Sequence, residues 1–168
     1  MESPIAVANY FIQKAQDSGK ALSPMKLVKL VYIAHGWYLA LTGKQLLMES
    51  VEAWKYGPVI PSIYHQFKEF GNNSINTFAY GFNTQEGGLF IPKVKDPDVI
   101  SLLDRIWDLY SNFSAVELST MTHMEGTPWY KTWHEDGAKS MHGISIPNDL
   151  IKSHYLEKVN SGENGAAH

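Results

Sequence analysis

Seven histidines are the residues in this chain best suited to chemistry, as metal ligands or general bases. No two of them have the i,i+4 spacing that puts a zinc-binding pair on one helix face. His123, His134 and His142 meet only if tertiary folding brings them together, and no carboxylate pattern points at them. There is no cysteine, which excludes disulfides, thiol catalysis and cysteine-based zinc sites. A serine nucleophile needs a base and an orienting group in contact with it. The chain has no G-x-S-x-G elbow, no P-loop and no G-x-G-x-x-G turn. Asp104, Asp108 and Glu117 are spaced like exposed helix positions, not like a paired acid and base. No catalytic residue, metal ligand or cofactor is therefore expected. An unrecognised hydrolase or nuclease built on the 71–95 loop and the His123 region remains an alternative.

The aromatic residues stand out more. Trp37, Trp54, Tyr56, Trp129, Tyr130 and Trp133 gather near predicted helix ends and turns. Interfaces favour such side chains, because they bring large area at little rotamer cost. Trp54 before a Gly-Pro turn and Trp129 after Pro128 also fit the role of core plugs. Lys55 and Tyr56, at the turn itself, are the better candidates for exposure. The candidate partner contacts are Lys55, Tyr56, Trp54 and Trp37. Glu52 fits either a solvated strand position or an ion-pair partner for a lysine of the preceding helix. Gly57 precedes Pro58, which disfavours helical backbone before it. A glycine there points to a dihedral pair closed to other residues, or to a close backbone approach. His35 lies inside an apolar helix, where a neutral imidazole bonded to a backbone carbonyl is the expected state. A ligand or partner contact is the other reading.

The element that must position these residues is the helix predicted over about 23–42. Ser23 is a good N-cap, Pro24 suits the first helical position, and Gly43 suits a left-handed stop. Leu27, Leu30, Val31, Ala34, Tyr38 and Leu41 form one stripe, with Val28, Tyr32, His35 and Leu39 beside it. A helix apolar over so much of its circumference must be covered from several sides. A helix from Ser3-Pro4 to Asp17–Gly19 precedes it, with Ile5, Ala8, Phe11, Ile12 and Ala15 on one face. After it come a short strand within 50–54, a turn at 55–58 and a helix opened by Pro61. Residues 72–95 allow at most a short hairpin. Asp96-Pro97 restarts a helix striped by Val99, Leu102, Leu103, Ile106, Leu109 and Tyr110. Ser114 and Glu117 form a capping box for a helix carrying Val116, Leu118 and Met121. Thr127-Pro128-Trp129 opens a short helix, and Pro147 the last, with Leu150, Ile151, His154, Tyr155 and Val159 inward.

At 168 residues, 44% apolar and 18% charged, the chain can build one sizeable core. A net charge of −3 with no basic block makes nucleic acid a poor partner. No apolar run approaches the roughly 18 residues of a membrane span, and the N-terminus does not read as a signal peptide. A cytoplasmic location is the default expectation.

The run Lys26, Leu27, Lys29, Leu30, Tyr32, Ala34, Gly36, Trp37, Leu39, Ala40, Gly43 continues as Glu52, Ala53, Trp54, Gly57, Pro58, Val59, Pro61, Tyr64. It resembles the pattern K-L-x-K-L-x-Y-x-A-x-G-W-x-L-A-x-x-G then E-A-W-x-x-G-P-V-x-P-x-x-Y of the Panacea domain. This is the family of SocA-like antitoxins and phage-associated GepA-like proteins. A weaker second block follows at Leu118-Ser119, Thr122-His123 and Pro128-Trp129. The resemblance covers about three quarters of the chain. His35 stands where many relatives carry glutamine, and 77–95 has no counterpart in the pattern. The resemblance marks Gly36, Trp37, Glu52, Trp54, Gly57, Pro58, His123, Pro128 and Trp129 as structural motif residues.

The expected fold is mainly α, a compact single-domain helical structure wrapped round the buried 23–42 helix, with at most a short strand or hairpin. One Panacea-like domain is expected over 1–160, with a flexible tail over 161–168. The resemblance implies a non-enzymatic antitoxin that neutralises a cognate protein toxin by direct binding. In some relatives this takes the form of a proteolytic adaptor serving a ClpXP-type protease. The other expectation is a phage-encoded protein acting on a host defence or regulatory factor.

Overall fold

The Ser23 hydroxyl accepts from the Lys26 amide, and Gly43 turns left-handed at φ 70° with its N–H on the Leu39 carbonyl. These two ends bound α2 (Pro24–Thr42), the helix on which the others are assembled. The computed structural model describes residues 1–162. Around α2 lie α1 (Pro4–Ser18), α3 (Pro61–Phe67), α4 (Pro97–Tyr110), α5 (Ala115–His123) and α7 (Asn148–Asn160), each packed against it. A short α6 (Pro128–Tyr130) runs into a π-helical turn over Lys131–Glu135. Short 3-10 turns lie at Lys68–Phe70 and Ala138–Ser140, and there are two small antiparallel hairpins: β1 (Glu52–Trp54) with β2 (Gly57–Val59), and β3 (Gly81–Asn83) with β4 (Gly88–Phe90). The fold is mainly α, and no described helix is long and apolar enough to cross a membrane.

The cover over α2 is close on the α7 side because residue 36 has no side chain. A Cβ on Gly36 would stand 2.2 Å from the Tyr155 ring. That ring meets Trp37 edge-on at 5.3 Å, and Trp37 Nε1 donates to the Tyr110 hydroxyl at 3.1 Å. One glycine therefore lets α2, α4 and α7 interlock. Proline opens α1, α2, α3, α4 and α6, where its missing N–H costs no helical hydrogen bond. Ser114 and Glu117 form the expected capping box on α5.

Four sequence expectations are corrected. Leu41 is exposed, because residues 41–44 all lie at the surface and the last turn of α2 leaves the core. Val116 is also exposed; the buried face of α5 runs through Leu118, Ser119 and Thr122, one position round. Ser3 precedes α1 without a side-chain cap bond. Asp104 does not simply face water: it accepts from the Tyr10 hydroxyl at 2.6 Å and pairs with Lys14 at 2.9 Å, tying α4 to α1. Of the expected tail, Ser161 and Gly162 form a turn closing α7, and the remainder lies outside the described residues.

Candidate functional site

β1 and β2 are joined by a two-residue connection, Lys55-Tyr56, with Trp54 opposite Gly57. The outer edge of β1 is covered: Ala53 N–H donates to Ile144 and Ile146 N–H to Val51. β1 is thus paired on both edges, with β2 on one and residues 144–146 on the other.

Three other elements grip that tip by its carbonyls. From α2, the Lys29 amine donates to Tyr56 O at 3.1 Å and to Pro58 O at 2.9 Å. From α5, the Ser119 hydroxyl donates to Tyr56 O at 3.1 Å. From α6, Trp129 Nε1 donates to Trp54 O at 2.6 Å. Gly57 makes this convergence possible in two ways. Its φ of 116° is closed to other residues, and a Cβ there would stand 2.5 Å from Lys29 Nζ. With the carbonyls drawn inward, the side chains of the tip face water. Lys55 is exposed, its Nζ 5.3 Å over the Tyr56 ring, and Tyr56 is 65% exposed.

Beside the tip, Glu52, Trp54, Lys55, Trp133, Met141 and His142 line an open groove of about 510 Å³. Trp54 is half-buried; its Nε1 donates to Glu52 at 2.8 Å and its ring meets Tyr64 edge-on at 4.9 Å. Glu52 therefore pairs with its own strand's indole and not with a lysine of α2. Trp129 is buried and stacks on Trp133 at 5.5 Å. Pro128 starts α6 and Thr127 caps it through the Tyr130 amide, which aims Trp129 at the hairpin.

Ser119 and His123 lie together, Oγ to Nδ1 at 3.4 Å. The Nδ1–H of His123 donates to the Ser119 carbonyl, so this nitrogen holds its proton and cannot take one from the hydroxyl. The hydroxyl proton is itself engaged by Tyr56 O. Ser119 braces the hairpin, and its contact with His123 lacks the geometry of a nucleophile and base.

Trp37 is a correction to the candidate contacts. It is 1% exposed and bonded to Tyr110 inside the core, because its place on α2 faces α4 and α7. Gly36 likewise serves packing. His35 is buried as expected, but its Nε2–H meets the Asn148 side-chain oxygen at 2.9 Å instead of a backbone carbonyl. Sequence reasoning named Lys29 and Ser119 only as letters of the family pattern and Trp133 only among the clustered aromatic residues, and it missed the 139–143 wall of the groove. Lys29 had a visible signal: a lysine lying between two apolar stripes has no route to water.

The matched features extend to known proteins. The family model described as "Antitoxin SocA-like, Panacea domain" matches residues 27–130. The chain belongs to the SocA-like Panacea-domain family. Antitoxin SocA of Caulobacter vibrioides (strain NA1000 / CB15N) is 31% identical over 156 residues, spanning 92% of this chain and 83% of the relative. No solved structure matches. In this Panacea domain the matched segment contains Lys29, the 52–59 hairpin, Ser119 and Trp129. Both motif blocks thus converge on one hairpin tip: the first supplies the tip and its amine clamp, the second its hydroxyl and indole clamps.

Proposed function

We propose that this protein is an antitoxin that neutralises a cognate protein toxin by direct contact, through the Lys55-Tyr56 tip and the adjoining aromatic groove. Membership of the SocA-like family carries the antitoxin reading. The location of the contact is supported by a tip that three elements hold by its backbone while its side chains stay in water. An exposed tyrosine beside a half-buried tryptophan suits an interface anchor, since aromatic residues dominate binding energy when a partner covers them. The same contact serves an adaptor mode, in which bound toxin is passed to a ClpXP-type protease. Co-expression with the toxin tests the reading: the chain restores growth, and the toxin co-purifies with it. Restored growth without any complex, in cells lacking the protease as well as in wild-type cells, overturns direct binding. Restored growth only where the protease is present assigns the adaptor mode.

A further inference from the structure

We infer that Lys29 is a positioning residue that works as a neutral amine, its two N–H groups matched to the two carbonyls of the hairpin tip, and that protonating it unlatches the tip. The inference deepens the proposed toxin-contact site and rests on that reading only for its effect on binding.

The argument starts from donor counting. A neutral amine has two N–H groups, whereas an ammonium has three. Lys29 is 2% exposed, and its described partners are two carbonyls, Tyr56 O at 3.1 Å and Pro58 O at 2.9 Å. Two donors meet two acceptors; a third donor would be buried without a partner, and the charge with it. No carboxylate pairs with the amine among the described residues. The titratable and charged groups of the surrounding elements offer no compensation. Lys55 and Tyr56 on the tip point outward, and Lys26, one turn earlier on α2, reaches away to the Ser111 carbonyl. His123 on α5 spends its Nδ1–H on Ser119. Burial accordingly pulls the amine from 10.5 down to about 7. The space that Gly57 leaves open is the space this Nζ occupies, so backbone and amine are fitted to each other.

A structural lysine in its ordinary charged state would tie the tip down at every pH below 10. The neutral clamp is at full strength only above the ordinary lysine value of 10.5. As pH falls from there to about 7, the loosened tip, with Lys29 in water, takes a proton that the latched one refuses, and below about 7 nothing more is lost. The latch is therefore strongest in alkaline solution, and its loosening is complete by about pH 7.

Two measurements on the protein alone and one on its complex test this. Nitrogen NMR of labelled lysine should show Lys29 Nζ as an amine at pH 8.5 and as an ammonium at pH 5.5. An ammonium at pH 8.5 overturns the inference, whatever the toxin does. Lys29→Met keeps the volume of the stem and removes both donors. Amide exchange at Tyr56 and Gly57 should then quicken by about tenfold, the scale of one lost hydrogen bond, with protection elsewhere unchanged. Unchanged protection at those two amides overturns the clamp. If the variant does not fold, Nζ titration and amide exchange of the wild-type protein decide alone, since tip protection must fall between pH 8.5 and about 7 and level off below that. In the complex, toxin affinity of the wild-type chain should fall between pH 8.5 and 5.5, and that part of the slope should vanish in Lys29→Met. A tip that responds to Lys29 while affinity does not would retain the clamp and remove the tip from the toxin interface.

Discussion

At the residue scale, the exposed pair at the hairpin tip separates binding from folding. Lys55 and Tyr56 direct their side chains into water while their carbonyls are held, so truncating both should leave thermal unfolding unchanged. Lys55→Ala with Tyr56→Ala should weaken toxin binding by about 2 kcal/mol or more, as loss of a tyrosine anchor does. Calorimetric titration of the folded variant against toxin checks this, and wild-type affinity would place the contact elsewhere. His35 makes a second prediction. Burial lowers its pKa below 6.5, partly offset by the Asn148 bond, and its Nδ1 has no partner among the described residues. Below about pH 6.5 the unfolded chain takes a proton that the folded chain refuses. Stability is therefore fully present at neutral pH and lost as pH falls towards the lower folded value, by up to about 1.4 kcal/mol per pH unit. His35→Gln should flatten the fall in Tm between pH 7 and 5.5. Parallel curves for the two proteins would show that His35 does not set that slope.

At the element scale, α2 is the member whose loss of packing should cost most, because it touches every other long helix. Leu30 is completely buried on it. Leu30→Ala should destabilise by about 2–5 kcal/mol, the range for a large-to-small change in a core, and should lower antitoxin activity only through folding. Denaturant unfolding gives the value directly; a midpoint equal to wild type would mean the site can collapse without cost. The β3–β4 hairpin is held differently. Buried Asn9 on α1 donates to Ala79 O and Pro92 O and accepts from the Ala79 amide, so one side chain pins both feet of the 80–91 excursion. Asn9→Ala should cost about 1–3 kcal/mol in unpaired backbone groups. It should also open 80–91 to limited proteolysis, while an unchanged cleavage pattern would show that the hairpin stands without its pin.

At the scale of the whole molecule, the proposed mode is inhibition by contact, and it rests on membership of the SocA-like family. Contact inhibition consumes inhibitor in proportion to toxin. A stable complex would bury on the order of 1,200–2,000 Å² in total, and the groove lined by residues 139–143 adjoins the tip where the contact is proposed. Titrating toxin activity with purified protein should reach its end point near one equivalent. Complete inactivation by a small fraction of an equivalent, with no protease present, would demonstrate turnover and remove the stoichiometric reading.

The local grammar of this chain carries a great deal without tertiary information. Ser23-Pro24 and Gly43 set the ends of α2, the Ser114–Glu117 box starts α5, and Asp96-Pro97 starts α4, because caps and prolines act through backbone groups a few residues away. The apolar circumference of α2 announced that it would be covered from several sides, and Gly57 before Pro58 announced an unusual backbone. Which side chains do what was settled only by folding. Trp37 and Tyr56 are both aromatic residues of the segment that the family model matches, yet one lies between α4 and α7 and the other in water. Aromatic type reports area to be buried; it does not say whether the chain itself or a partner will bury it. Lys29, Ser119 and Trp129 are far apart in sequence, and their common target is three backbone carbonyls, which carry no residue signature. The clamp exists only where α2, α5 and α6 meet the hairpin, so its members could be named one by one from the sequence, but their joint role belongs to the tertiary structure.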